Sequence, residues 1–285
     1  MMSFDRPAQP AHFEATKLVG TKKTAQKTAV QKARDAVKKA VDAGDKPDFP
    51  GHWRDDRVKR EFMKAQHRKC GYYESKIAIS YGDMEHYAPK AEVHEIAKEL
   101  NAQGQWVCLW GKEVENLNKI EGRKTESVSD RGYWWRAYDW TNYLLACDLC
   151  NRIWKWCLFP VTASPRTLLP SETVKETALL LNPFDDDPIP HFTFDQLGQI
   201  QGLSDKGETT LLVCGLFRES LRDARSATAR WVHCALALYL KTEDERDLEC
   251  IVSYGHEKNM FCGMVRSIVL ERLGVSWDKF LILTS

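Results

Sequence analysis

The stretch YWWRAYDWTNYLLACDLCNRIWKWCLFP, residues 133–160, constrains this chain more than any other. Trp134, Trp135, Trp140, Trp154 and Trp156 all lie within it, and each large aromatic buries roughly 150–250 Å² when it packs. A run of this density has to sit in the middle of a folded core. It reads as core rather than as a platform on which bases stack. Embedded in it is Cys147-x2-Cys150 followed directly by Asn151, a spacing that metal knuckles use. With 285 residues, 43% of them apolar, the chain can bury such a core, as one large domain or as a catalytic core with helical additions.

The cysteines point to a reducing compartment. There are nine, an odd and scattered set unlike a secreted disulfide framework. Cys108, Cys214, Cys234, Cys250 and Cys262 lie in apolar surroundings and read as packing residues. No apolar run approaches the ~20 residues needed to cross a bilayer. The first residues, MMSFDRPAQPAHFEATKL, lack the apolar centre of a secretory signal. A cytoplasmic location without a membrane partner is expected. The formal net charge of +1 neither demands nor excludes a nucleic-acid partner.

Three regions are expected along the chain. Residues 1–50 form a basic arm, with ten Lys and Arg against six Asp and Glu. Its Ala/Lys-rich part from Thr21 to Ala43 predicts a helix with a thin apolar face of Ala25, Val30, Ala33, Val37 and Val41. That helix reads as solvated, or as a docking element for a partner or for phosphates. Residues 51–165 hold the chemistry. There, 56–69 reads as a short helix, KIAIS (76–80) as a strand, AEVHEIAKELNAQG (91–104) as helical, WVCLW (106–110) as a strand and NKIEGRKTESVSDRG (118–132) as a charged loop. Residues 166–285 begin as an irregular connector with strand pieces and are helical by pattern from 208, the last long helix ending at Gly274.

The chemistry resides in an ordered set: Cys70, Glu85–His86, Asn142, Cys147-x2-Cys150, Asn151 and Lys155. Hydrolysing a phosphodiester needs an activated water and a cation to offset charge in the transition state. An imidazole beside a carboxylate can supply a proton acceptor and a metal ligand at one point of the chain. Adjacent side chains on a strand point opposite ways, so a kinked strand end is needed for both to line one pocket.

In CGYYESKI, GDMEHYAPK, YWWRAYDWTNYLLACDLCN, LLLNP and HFTFDQLGQI, spanning roughly residues 60–200, the chain resembles the HNH endonuclease superfamily. It looks closest to the HNH nucleases of Septu-type and retron-associated anti-phage defence. The resemblance implies an α+β protein with a ββα-metal core embedded in helices, cleaving DNA. It implies His86 as general base, Glu85 and Asn151 as ligands of a catalytic Mg²⁺ or Mn²⁺, and Asn142 as the residue that hydrogen-bonds across the loop and orients His86. It also implies a controlling ATPase of the ABC/SMC-like type, or a retron reverse transcriptase with its nucleic acid, as partner. Arg131, Arg136, Arg152 and Lys155 are candidate phosphate contacts.

One element departs from the family. Its structural zinc site uses two C-x2-C knuckles, but the first here is Cys70-Gly71-Tyr72-Tyr73, with Tyr73 in place of a thiol. The site can be lost and packed over by Tyr73. It can keep zinc on Cys70, Cys147 and Cys150 with water, or take His67 as the fourth ligand.

Overall fold

The computed structural model describes residues 1–14, 17–19, 24–26, 28–77, 82–113, 120–162, 176–244 and 246–284. It is a mixed helix-and-strand chain of short antiparallel strand pairs, some of which pack against helices. Helix α1 (Ala29–Asp42) starts at Thr28 in a reciprocal cap: Gln31 donates its backbone N–H to Thr28, and Thr28 donates its own to the Gln31 side chain. Val30, Ala33 and Val37 are buried in the main core, and Arg34 donates to the Tyr138 carbonyl at 2.6 Å. The helix is therefore no solvated arm. It spends its apolar face on the chain's own core.

Helix α2 (Asp56–Ala65) is capped by Asp55, whose carboxylate accepts the Arg57 N–H, and it buries Val58 and Phe62. Just beyond it the buried Gln66 amide accepts from Leu145 N–H at 2.7 Å and donates to Leu145 O at 2.9 Å, as a neighbouring strand would. Strand β1 (Gly82–His86) follows. The next pair is β2 (Val93–Ile96) with β3 (Thr125–Ser129), antiparallel and bulged between Val93 and His94. Strand β4 (Tyr143–Cys147), buried at every position, pairs antiparallel with β1 so that Tyr143 opposes His86 and Leu144 opposes Glu85. The chain then enters a π-helix, Leu149–Lys155.

The region expected to be helical at 91–104 holds strands instead: β2, and Lys98–Leu100 paired with Trp106–Cys108. Cross-strand pairing with β3, inside the segment read as a loop, overrides local helix propensity. Of the KIAIS strand expected at 76–80, residues 78–80 lie outside the described residues.

In the C-terminal part, β5 (Phe192–Phe194) and β6 (Ile200–Gly202) form an antiparallel pair. Helices α3 (Asp205–Val213), α4 (Glu219–Thr242), α5 (Arg246–Tyr254), α6 (Cys262–Leu273) and α7 (Trp277–Leu283) follow. Helix α6 is buried on nearly every side and ends at Gly274, which adopts φ +68°. Gly215, at φ +59°, lies so close to the Trp154 ring that a Cβ there would meet it at 2.2 Å. That contact seats Trp154 against the turn after α3. No helix among the described residues is long and apolar enough to cross a membrane. Among the cysteines read as packing residues, Cys214 and Cys262 are buried, but Cys234 is exposed on α4.

Candidate active site

Strand β1, strand β4 and the π-helix bring together residues that are far apart in sequence. Glu85, His86 and Asn151 line one cavity of about 390 Å³ with Asp83, Trp53, Arg54, Lys90 and Arg152. His86 is the last residue of β1 before a bend, so it and Glu85 both reach that cavity.

His86 is buried, 4.6 Å from the Trp53 ring and 5.2 Å from that of Tyr143, both in edge-on geometry. Its Nε2 lies 3.0 Å from the Ala137 carbonyl. A carbonyl can only accept, so Nε2 carries the proton and the neutral ring keeps its lone pair on Nδ1. Burial holds the imidazolium form well below the usual range, and the Lys90 ammonium adds to this. The ring is therefore an unprotonated acceptor at neutral pH.

Glu85 is buried and its carboxyl is pushed up by that burial, against the pull of Lys155. Lys155, fully buried, donates to Glu85 Oε1 at 2.5 Å and to the His86 carbonyl at 3.0 Å. It is thus an internal counter-ion and cannot act as the phosphate contact expected of it. The Asn151 side chain makes no hydrogen bond among the described residues, although its carbonyl accepts Trp156 N–H at 2.9 Å. Glu85 and Asn151 thus offer two hard oxygen donors at one cavity, a set that fits Mg²⁺ or Mn²⁺.

The Asn142 side chain makes no hydrogen bond to His86. Its Oδ1 accepts Ala88 N–H at 2.8 Å, and its Nδ2 donates to Ala88 O at 2.9 Å and Arg136 O at 3.1 Å. It clamps the chain after β1 to the peptide next to Ala137, whose carbonyl holds His86. The orienting effect is indirect, and Ala137 O, which also accepts the Tyr143 hydroxyl at 2.7 Å, is the direct partner.

Of the expected cations only Arg152 lines the cavity; it is exposed and 3.6 Å from both Asp83 and Asp148. Arg136 pairs with Asp139, and Arg131 reaches toward the Gly44 carbonyl, both away from the cavity lining. Sequence reasoning missed Asp83, Lys90, Trp53 and Arg54. Asp83 and Lys90 flank the Glu85–His86 pair within GDMEHYAPK, which is a signal of a kind. Trp53 and Arg54 arrive from a preceding short helix and carry no such signal.

The Cys70, Cys147 and Cys150 sulfurs lie within 4.8 Å of one another. Zinc at about 2.3 Å from each would set them roughly 3.8 Å apart, so the triad fits three corners of a tetrahedron. Tyr73 lies close to all three thiols, while Arg218 points Nη2 at Cys150 Sγ from 3.9 Å and lies over the Tyr73 ring. Hydrogen bonds from Cys150, Cys70 and Tyr73 favour the Cys147 thiolate, whereas burial pushes the Cys70 thiol up to about 12. His67 is excluded from the cluster. It follows the end of α2 in a left-handed conformation and directs Nε2 toward Glu257 at 3.5 Å.

Over 211 residues the chain is 32% identical to Septu protein PtuB of Bacillus mycoides (strain KBAB4), a match covering 69% of this chain and 62% of that protein. Over 158 residues it is 28% identical to Septu protein PtuA of the same strain, covering 55% of this chain and 22% of that protein. The chain is thus homologous to Septu proteins, and the matches span less than two thirds of either relative's length. No family model and no solved structure matches it.

Proposed function

We propose that this chain is a metal-dependent HNH-type endonuclease, the nuclease component of a Septu-type anti-phage system, held in check by a partner ATPase. The observation that carries this reading is the convergence of Glu85, His86 and Asn151 on one cavity built from β1, β4 and the π-helix. That strand–strand–helix order is what a ββα-metal core requires. His86 Nδ1 would take a proton from the attacking water, with Ala137 O fixing the ring. A divalent ion held by Glu85 and Asn151 would supply Lewis-acid stabilisation of phosphate charge. Arg152, Arg54 and Lys90 place positive charge around the same cavity and would hold a DNA phosphate. Similarity to Septu proteins supports the defence role and a protein partner.

One observation favours a module that binds without cutting: Lys155 already neutralises Glu85. Nicking of supercoiled plasmid with Mg²⁺ or Mn²⁺, with and without the partner ATPase, separates the two readings. His86→Ala should abolish cutting and leave DNA binding intact. Equal cutting by that variant sinks the hydrolytic reading.

A further inference from the structure

Trp156 stands apart from the other tryptophans of its run. Trp140 and Trp154 are core residues, but Trp156 is 40% exposed. It holds φ +43°, a backbone region that a bulky side chain enters only where its surroundings impose it. The constraints are visible. Its N–H is tied to Asn151 O at 2.9 Å. The Arg123 guanidinium donates to the Ile153 and Trp154 carbonyls just before it, at 2.7 and 2.5 Å. Its ring lies against that of His94, 4.4 Å between centroids, and His94 is itself held by Glu92.

The ring also sits between two hollows. Beyond the catalytic cavity is a second, of about 270 Å³, lined by Ile120, Arg123, Thr125, Arg152, Ile153 and Trp156. Arg152 and Trp156 belong to both. The lining of the second hollow contains two arginines and, among the described residues, no acid.

We propose that Trp156 and this second hollow form a stacking subsite for an unpaired nucleotide next to the scissile phosphate. The inference rests on the nuclease reading above and narrows its substrate to nucleic acid that is single-stranded or locally unpaired. A tryptophan face can receive a base only where that base has left its own stack, and the exposed Arg152, shared by the two hollows, meets a flanking phosphate. The link from Trp156 N–H to Asn151 O sets the stacked base at a fixed offset from the cavity that would hold the metal.

The test is binding of a fluorescein-labelled oligothymidylate and of a blunt hairpin duplex to the full chain in EDTA, followed by anisotropy. Trp156→Leu should weaken oligothymidylate binding about 5- to 150-fold, the loss of one stacked base, with the duplex little affected. Trp156→Phe, which keeps a ring, should recover most of that loss and guards against a folding defect. If Trp156→Leu binds oligothymidylate as the parent does while His86→Ala abolishes cutting, the subsite is wrong and the nuclease reading stands. If stacking is lost in Trp156→Leu but His86→Ala cuts normally, only the hydrolytic reading fails. A parent that binds no oligothymidylate overturns the subsite, and the nuclease reading is then decided by plasmid nicking alone.

Discussion

Replacing Lys155 by Met tests how the site holds its carboxylate. Lys155 is fully buried and its ammonium sits 2.5 Å from Glu85 Oε1, itself almost entirely buried. Removing one partner of such a pair costs about 3–5 kcal/mol, because the other charge is left uncompensated. The chain can limit that cost by protonating Glu85. From an unfolded pKa of about 4.3, holding a proton at pH 7 costs about 3.7 kcal/mol, and at pH 5 about 1 kcal/mol. Loss of the Lys155 bond to His86 O adds about 1 kcal/mol at either pH. The sign follows from proton uptake. Burial already raises the Glu85 carboxyl in the parent, and without the pull of Lys155 it titrates still higher in the variant, so the variant's deficit is smallest below about pH 4.3 and grows as pH rises toward the folded pKa. Urea unfolding in EDTA should therefore show Lys155→Met destabilised by about 4–5 kcal/mol at pH 7 and by about 2 kcal/mol at pH 5. Adding Glu85→Gln should recover much of the pH 7 loss. Mg²⁺ should stabilise Lys155→Met more than the parent, since it restores positive charge beside Glu85. Equal destabilisation at the two pH values would refute the reasoning, because the deficit would then have nothing to do with a buried charge.

Other outcomes follow from the same contacts. Asn142→Ala removes three bonds from a buried clamp and should cost about 2–4 kcal/mol in urea unfolding. It should also lower plasmid nicking through the Ala137–His86 contact; unchanged stability would argue against the clamp. Tyr73→Cys gives the thiol triad a fourth thiolate, so native mass spectrometry after chelator treatment should find more zinc retained than in the parent, and equal retention would show that Tyr73 does not stand at the fourth corner. Because burial holds the His86 imidazolium below its ordinary pKa, the unfolded chain binds a proton that the fold does not. Stability conferred by the neutral ring is present above about pH 6.5 and falls by up to about 1.4 kcal/mol per unit as pH drops toward the folded value. His86→Leu should flatten that slope in metal-free buffer, and an unchanged slope would show that His86 titrates normally.

How far the sequence reached depended on whether a residue's role is local. The stop at Gly274 follows from short-range pattern, whereas the helix expected from Thr21 starts only at Ala29, because Thr24–Gln26 is a strand paired with Lys17–Val19. The convergence of Glu85, His86 and Asn151 on one cavity was an expectation carried by the resemblance to HNH proteins, since no local pattern links residues so far apart. Residues 91–104 read as helix because nothing local announces their partner at 125–129. Asn142 does hydrogen-bond across the loop, to Ala88, but the Ala137 carbonyl that meets His86 carries no side-chain signature and is invisible in the sequence.

Lys155, a candidate phosphate contact by sequence, is turned inward by the geometry of its own turn. On an α-helix, residues three apart share a face, so regular helical register would set Arg152 and Lys155 side by side. The turn after Leu149 is instead a π-helix, closed by Trp156 N–H onto Asn151 O. The wider turn separates what an α-helix would align: Asn151 and Arg152 go to the cavity, Lys155 turns inward to Glu85, and Trp156 emerges at the rim. Tightening that turn to α-helical register would place Lys155 beside Arg152 and leave Glu85 buried without its cation. The irregular turn is therefore the condition under which one short segment can supply an oxygen donor, an internal counter-ion and an exposed ring.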